Sequence, residues 1–245
     1  MIWWKTRFGR CIHQTPTGAR VYENKHYRWL MFNSAALQTL IHRQYPERIA
    51  LHYLHPLILA LQASPGNACL LGLGGGGLLH AIAPTLQNHH IVAIDNDTEI
   101  IEIASTYFMN PRSPTVTIIQ QEASLFVATC QTSFQHVLID LFDAHRFPMT
   151  CKTPLFFSNC RALLKPNGFL ALNSANPQDH WQLLTLIREH VSRHTVSFPI
   201  KKTTNHVILT TISDTIHPLL NLIQSTLPLK KLSWDPQWGC LAEPK

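Results

Sequence analysis

The sequence predicts an α/β protein with a parallel sheet covered by helices on both faces. Two observations carry that prediction. Between Ala68 and Asn173 short apolar runs alternate with segments of helical periodicity, the order that strand–helix–strand units require. At the head of the alternation, NACLLGLGGGG from Asn67 to Gly77 passes from an apolar run through a glycine turn into Leu78-Leu79-His80-Ala81-Ile82. Glycine is needed where the backbone reverses and a ligand approaches with no Cβ in the way, and the N–H groups opening the next helix attract anionic or electron-rich groups. A nucleoside-bearing cofactor suits such a turn, although glycine runs also make ordinary tight turns.

The elements follow in order. Ala19 to Glu23 and His26 to Phe32 alternate in polarity and are separated by Asn24-Lys25, which reads as a small antiparallel β unit serving as a cap. Glu47 to Gln62 reads as a helix with apolar residues at Leu51, Leu54, Ile58 and Leu61, kinked or split by Pro56. Strands are expected at Ala68 to Leu71, Ile91 to Ile94, Val116 to Gln120, His136 to Ile139 and Phe169 to Asn173. Helices are expected after Gly76, at Thr98 to Phe108, near Ser124 to Thr129, at Pro154 to Leu164 and at Trp181 to His190. Strands at Thr195 to Pro199 and His206 to Ile212 complete the sheet, and the tail holding Trp234 and Trp238 reads as an ordered wrap. The division expected is a β-strand extension at 1–46 and a Rossmann-like nucleoside-cofactor domain at 47–245.

Composition narrows the function classes. A chain of 245 residues with 45% apolar and 14% charged residues holds one sizeable α/β domain and an appendage. No apolar run reaches about eighteen residues, and Met1 to Arg7 lacks the apolar middle of a signal peptide. A cytoplasmic protein without a membrane partner is expected. The 6 cysteines show no C-x-x-C pairing and the 15 histidines no metal-ligand spacing, so neither disulfides nor a metal is expected. The formal charge of +6 is dispersed apart from Lys201-Lys202 and Lys230-Lys231. That pattern describes a solvated face better than a nucleic-acid surface.

Ligands of open parallel sheets bind beyond the carboxyl ends of the strands. Four successive strands deliver glycines or acids there: Gly72, Gly74, Gly75 and Gly76; Asp95 in Asp95-Asn96-Asp97; Glu122-Ala123; and Asp140-Leu141-Phe142-Asp143. Asp95 lies about twenty residues past the glycine turn, where an acid accepts hydrogen bonds from ribose hydroxyls. Asp97 reads instead as the N-cap of the next helix. A nicotinamide cofactor and an S-adenosylmethionine-type cofactor both fit this pattern. Two features favour the second. Arg161 to Leu170, RALLKPNGFL, is similar to the helix, turn and strand leading into the fifth strand of class I methyltransferase folds. Glu122-Ala123 resembles the acid that contacts the adenine amino group there.

The succession GLGGGG, DNDTEIIEIASTYF, VTIIQQEASLFV, FQHVLIDLFD and TPLFFSNCRALLKPNGFLALN resembles the spermidine synthase (polyamine aminopropyltransferase) family, especially its divergent bacterial members, over roughly Tyr22 to Ile212. The resemblance implies a Rossmann-like class I S-adenosylmethionine-dependent methyltransferase fold with an N-terminal β extension. It also implies a homodimer that moves an aminopropyl group from decarboxylated S-adenosylmethionine to putrescine or a related amine. Carried over, Asp95 binds ribose and Glu122 adenine. Asp140 is the catalytic base of the family's Asp-x-x-Asp loop with Asp143 its companion, Gln38 matches a glutamine after the N-terminal strands, and the family's tyrosine–histidine pair has no clear match, His52-Tyr53 being the candidate. A carboxylate suits this chemistry because it can hold an ammonium and take its proton before the amine attacks. Two further departures stand out. The aspartate of the family's Gly-Gly-Gly-Asp-Gly-Gly turn falls on Gly75, and Leu141-Phe142 replace small polar residues, which implies a more apolar amine pocket. A methyltransferase using S-adenosylmethionine itself and a catalytically silent nucleoside-binding protein are the alternatives.

Overall fold

In the computed structural model, residues 4–32, 37–85, 88–109, 115–142, 146–226 and 229–244 are described. Among them, β1 (Arg10–Gln14), β2 (Arg20–Glu23), β3 (Tyr27–Met31) and β4 (Leu37–His42) pair in sequence order as an antiparallel sheet. The first and last of these strands escaped the polarity pattern. β1 is largely solvent-facing, and β4 buries Thr39, Leu40 and Ile41 in succession because both of its faces are covered. Leu40 joins the main core with Trp29, whereas Ile41 packs with Val21 and Leu30 against Ile100, Ile103 and Phe108. Buried Glu23 gathers Arg10 (2.9 Å), Arg28 (2.9 Å) and Arg43 (3.4 Å), and the Arg28 guanidinium also donates to the Tyr107 carbonyl.

The expected helix from Glu47 to Gln62 forms only in its second half, as α1 (Leu54–Leu57) and α2 (Leu59–Ala63), broken at Ile58 with φ −99°. Proline is tolerated in a first turn, where its missing N–H would have no partner. Starting the helix at Leu54 puts Pro56 there, so residues 47–53 stay outside.

The main sheet follows through β5 (Ala68–Leu71), α3 (Gly77–Ile82), β6 (Ile91–Asp95), α4 (Thr98–Ile103), β7 (Val116–Gln120), α5 (Ala123–Thr129), β8 (Phe134–Ile139), α6 (Pro154–Ala162), β9 (Leu164–Ser174), α7 (Pro177–His190), β10 (Thr195–Pro199), β11 (His206–Thr211), α8 (His217–Thr226), β12 (Leu229–Asp235) and β13 (Gly239–Pro244). The strand order is β12-β13-β10-β11-β9-β8-β5-β6-β7. From β9 to β7 the pairs are parallel, whereas β11 runs antiparallel to β9 and β10. The sheet is therefore mixed, with a parallel half that carries the alternation seen in the sequence. Leu70, Ala93, Leu138 and Ala171 face one buried layer, and Cys69, Leu71, Val137, Ile139 and Leu172 face the other.

The tail differs from an ordered wrap. β12 and β13 form a hairpin that extends the sheet, with β13 parallel to β10. Arg188 of α7 anchors it by donating to the carbonyls of Trp238 (2.6 Å) and Gln237 (3.1 Å). No helix among the described residues is long and apolar enough to cross a membrane. From β5, the chain first adds β6 and β7 on one side and then β8 and β9 on the other. That reversal opens a crevice at the carboxyl ends of β5 and β8.

Candidate active site

Gly72 closes β5 at φ +94°, donating to the Ile94 carbonyl at 2.9 Å. A Cβ there would lie 2.3 Å from the Asp140 carbonyl oxygen, so the end of β5 can approach the end of β8 only with glycine. Gly74 and Gly76 also have positive φ, and Gly76 leads directly into α3. Gly75 does not share that conformation. Its N–H donates to Thr39 Oγ1 at 2.8 Å, and a Cβ would stand 3.0 Å from the Cβ, Cγ2 and Oγ1 of Thr39. The hydroxyl that β4 brings down onto the turn fills the space into which an acidic side chain at Gly75 would project.

Asp95, at the end of β6, is half-buried and accepts from the backbone N–H of Leu73 (2.9 Å), Gly74 (3.4 Å) and Asp97 (3.1 Å). Burial raises its carboxyl above the usual range despite those three donors. Asp97 caps α4 as expected, accepting from Glu99 (2.9 Å) and Ile100 (3.3 Å). Glu122 caps α5 through the Leu125 N–H at 3.0 Å and also takes the hydroxyls of Ser124 and Thr150, the latter at 2.9 Å. Burial works to raise the Glu122 carboxyl, but these donors outweigh it and hold it below the ordinary value.

Asp140 follows β8. Its Oδ2 accepts from the Tyr53 hydroxyl at 3.0 Å and its Oδ1 from Asn173 Nδ2 at 2.8 Å, and Asn205 Nδ2 in turn donates to Asn173 Oδ1 at 3.0 Å. Among the described residues no cationic side chain pairs with Asp140. Burial therefore pushes its carboxyl upward, and the bonds from Asn173 and Tyr53 offset this only in part. The Tyr53 hydroxyl is pushed well above its usual value by burial and by the neighbouring carboxylate.

Two cavities meet at Asp140. The larger, about 700 Å³, is lined by Gly72, Gly74, Asp95, Glu122, Ala123 and Asp140, with Gln38 and Phe32 added by the N-terminal sheet. The smaller, about 320 Å³, is lined by Tyr53, His52, Asn173 and Thr204 among others, and shares Gln38, Gly74, Asp140 and Phe142 with the first. The first volume is large enough for a nucleoside-sized molecule and the second for a small aliphatic one. Gly72, Gly74, Asp95, Glu122, Ala123, Asp140, Gln38 and Tyr53 thus converge. Gly75 and Gly76 shape the turn from outside the cavity lining, while Asp143 lies outside the described residues. Sequence reading missed Thr39 and Asn173. Asn173 had a signal, since it stands at the end of an expected strand like the acids it joins; Thr39 had none. Among the described residues no group of three or more histidine, cysteine or acidic side chains is placed to hold a metal ion.

No family model matches the chain. In sequence it is 25% identical over 156 residues to the polyamine aminopropyltransferase of Chromobacterium violaceum, covering 62% of this chain and 60% of the relative. It is 24% identical over 157 residues to the Neisseria meningitidis serogroup A enzyme of the same name, with coverage of 62% and 60%. The match thus spans about 60% of the length of these relatives. In fold it is similar to a probable spermidine synthase from Corynebacterium glutamicum, with a TM-score of 0.70 at 16% identity over 84% of this chain and 81% of that one. A spermidine synthase in complex with the transition state analogue AdoDATO gives 0.68 at 17% identity over 86% and 76%. Human methyltransferase-like protein 13 in complex with SAH gives 0.62 at 16% identity over 72% and 91%. In sequence the chain is similar to the polyamine aminopropyltransferases at about a quarter identity, and it has the class I methyltransferase-like fold of the solved spermidine synthases.

Proposed function

We propose that the protein is an aminopropyltransferase that uses decarboxylated S-adenosylmethionine and putrescine or a related amine. The observation that carries this reading is Asp140, a carboxylate with no cationic partner among the described residues, where a nucleoside-sized cavity meets a smaller one. In this reading Gly72 and Gly74 let the cofactor approach the backbone, Gly75 and Gly76 shape the cofactor-binding turn behind them, Asp95 takes the ribose hydroxyls, and Glu122 with Ala123 borders the adenine. Decarboxylated S-adenosylmethionine supplies an aminopropyl group activated by its sulfonium. Asp140 holds the acceptor's ammonium and takes its proton, so that nitrogen can form the new C–N bond while the C–S electron pair stays on sulfur. Tyr53 and Asn173 fix the carboxylate in line for that transfer. Gln38 and Asp143 complete the acceptor's surroundings.

The same reading makes residues 1–46 an extension that closes over the catalytic domain at 47–245, in a cytoplasmic homodimer. A second reading, methyl transfer from S-adenosylmethionine itself, is favoured by one feature: Thr39 occupies the space beside Gly75, so no carboxylate stands there for the amino group of the cofactor's tail. Titration with each cofactor, followed by product analysis with putrescine, separates the two. Aminopropyl product with preference for the decarboxylated form is the expected result, and methylated product from the intact form would replace the first reading with the second.

A further inference from the structure

The formal charge of +6 is carried unevenly. Eight of the 20 lysines and arginines but only two of the 14 acids lie in residues 1–48, so the N-terminal sheet and its flanks hold the whole excess, while the remaining chain balances at twelve of each. These cations are dispersed along the sequence, and the fold gathers them. Of the two acids, Glu23 is buried and enclosed by Arg10, Arg28 and Arg43, which leaves Glu47 as the one exposed acid of this part.

Aromatic rings run through the same surface. Trp4 stands edge-on to Tyr27 at 6.1 Å, Tyr27 meets His42 at 5.3 Å, and His42 meets Tyr45 at 5.3 Å. Cations sit on these rings, Lys5 over Tyr27 at 5.6 Å and the Arg48 guanidinium over Tyr45 at 4.1 Å, and Arg7 covers Phe8 in the same way at 4.6 Å. Asn24 fixes the segment by donating to the carbonyls of Lys5 (2.8 Å) and Arg7 (3.1 Å), so its rings are displayed in place. Trp4 is 57% and Phe8 85% exposed, and Phe8 is held at φ +57°. Rings left in water contribute little to the core. The row is also remote from the cavities: Tyr27 pairs with His42 at one end of the β3–β4 ladder, and Gln38, which lines both cavities, stands four residues back along β4, about 13 Å away.

Rings interleaved with cations are complementary to a chain of alternating phosphates and planar bases. Lysine and arginine take the phosphates, and unpaired bases stack on the rings and guanidinium planes. We infer that this face of the N-terminal sheet binds single-stranded nucleic acid, at a site separate from the catalytic cavities. A second copy of the chain would set two surfaces of the same sign together, and a bilayer offers anions but no planar groups for the ring–guanidinium pairs. The inference goes beyond the aminopropyl-transfer reading and does not depend on it.

Fluorescence anisotropy of a labelled single-stranded RNA of about 15 nucleotides, titrated with the full chain, tests it, with the matching duplex and phosphatidylserine vesicles as comparisons. Tighter binding of the single strand than of the duplex is expected. Three phosphate contacts, from Arg7, Lys25 and Arg48, predict an affinity that falls about twentyfold between roughly 50 and 200 mM salt. Phe8→Ala and Trp4→Ala each remove an exposed ring, with an unchanged melting temperature as the check on folding. Each should weaken RNA binding about tenfold with the salt dependence unchanged, whereas Lys25→Gln should make that dependence shallower. Equal or tighter binding of the duplex, binding of the vesicles but not of the RNA, no binding of either, or full RNA affinity in both folded ring variants overturns the inference.

Discussion

At Asp140 the competition is between burial, which favours the protonated acid, and two donors that favour the carboxylate. Only the carboxylate can hold an ammonium and accept its proton, so activity should fall as pH drops through the raised Asp140 value. Tyr53→Phe removes one stabilising donor and raises that value further, which moves the acid limb of the kcat/KM profile to higher pH; an unmoved limb would detach Tyr53 from the titration. Asp140→Asn keeps the shape but not the base, and should cost about 10²-fold or more in turnover with cofactor affinity retained. Gly75 supplies a different test. Its backbone accepts a side chain but Thr39 stands in the way, so Gly75→Asp should destabilise by about 1–3 kcal/mol, read as a lowered melting temperature. Thr39→Ala in the same chain should recover part of the loss, because two of the three crowding atoms go. The strand-end positions of Asp95, Glu122 and Asp140 were legible because an apolar run and the acid after it are adjacent in sequence. The Tyr53–Asp140 bond joins residues 87 apart, and Thr39 reaches Gly75 across 36 positions; no local pattern encodes such pairs.

One element holds the wall of the larger cavity and another backs the glycine turn. Asp179, in the first turn of α7, accepts the Phe147 N–H at 3.0 Å and binds buried Lys152. It thereby clamps both ends of the segment containing Pro148, Met149, Thr150 and Cys151, which lines the cavity beside Glu122. Burial works to raise the Asp179 carboxyl, but the Lys152 bond, the Phe147 N–H and the charges of Lys152 and Arg146 together outweigh it, leaving the group below its ordinary value. The pair therefore stabilises the fold above the unfolded carboxylate range and loses that contribution as pH falls through the lowered folded value. Removing one partner of a buried pair costs about 3–5 kcal/mol, so Asp179→Asn should lower the denaturant midpoint strongly at neutral pH and less in acid; an equal loss at both would deny the ionic role. On the other side, a π-helical turn at Ala104–Phe108 continues α4, closed by the Met109 N–H on Ala104 O at 2.7 Å. It sets Met109 against Gly76, where a Cβ would meet Met109 Cγ at 3.0 Å. The sequence read this stretch as ordinary helix, since one extra residue in a turn leaves the apolar periodicity nearly unchanged. Helix α8 and the final hairpin were hidden for another reason: Pro218 and Pro236 punctuate them as if they were loop, yet both fall near an element end, where proline is tolerated.

For the whole molecule, the N-terminal sheet and the switch point of the main sheet act as one site. Gln38 and Thr39 of β4 approach the glycine turn, and the Thr17 hydroxyl reaches Glu99 of α4. The alternation of strands and helices made the parallel half of the sheet legible. The strands at Thr195–Pro199 and His206–Thr211 were legible too, but not the antiparallel direction of β11 against β9 and β10, since fully buried strands read alike in either direction. Cofactor binding should stabilise the folded chain by about 2.7 kcal/mol at a hundredfold excess over Kd, read as a rise in melting temperature. The central claim is that Asp140 serves an aminopropyl transfer, and the most direct test is one assay: wild type and Asp140→Asn, each with decarboxylated S-adenosylmethionine and an amine acceptor, with product and 5′-methylthioadenosine quantified together. Equimolar aminopropylated amine and 5′-methylthioadenosine from the wild type, nearly lost in the variant while cofactor still binds, is the predicted result. Undiminished transfer by the variant, or no transfer by a wild type that binds the cofactor, would contradict it.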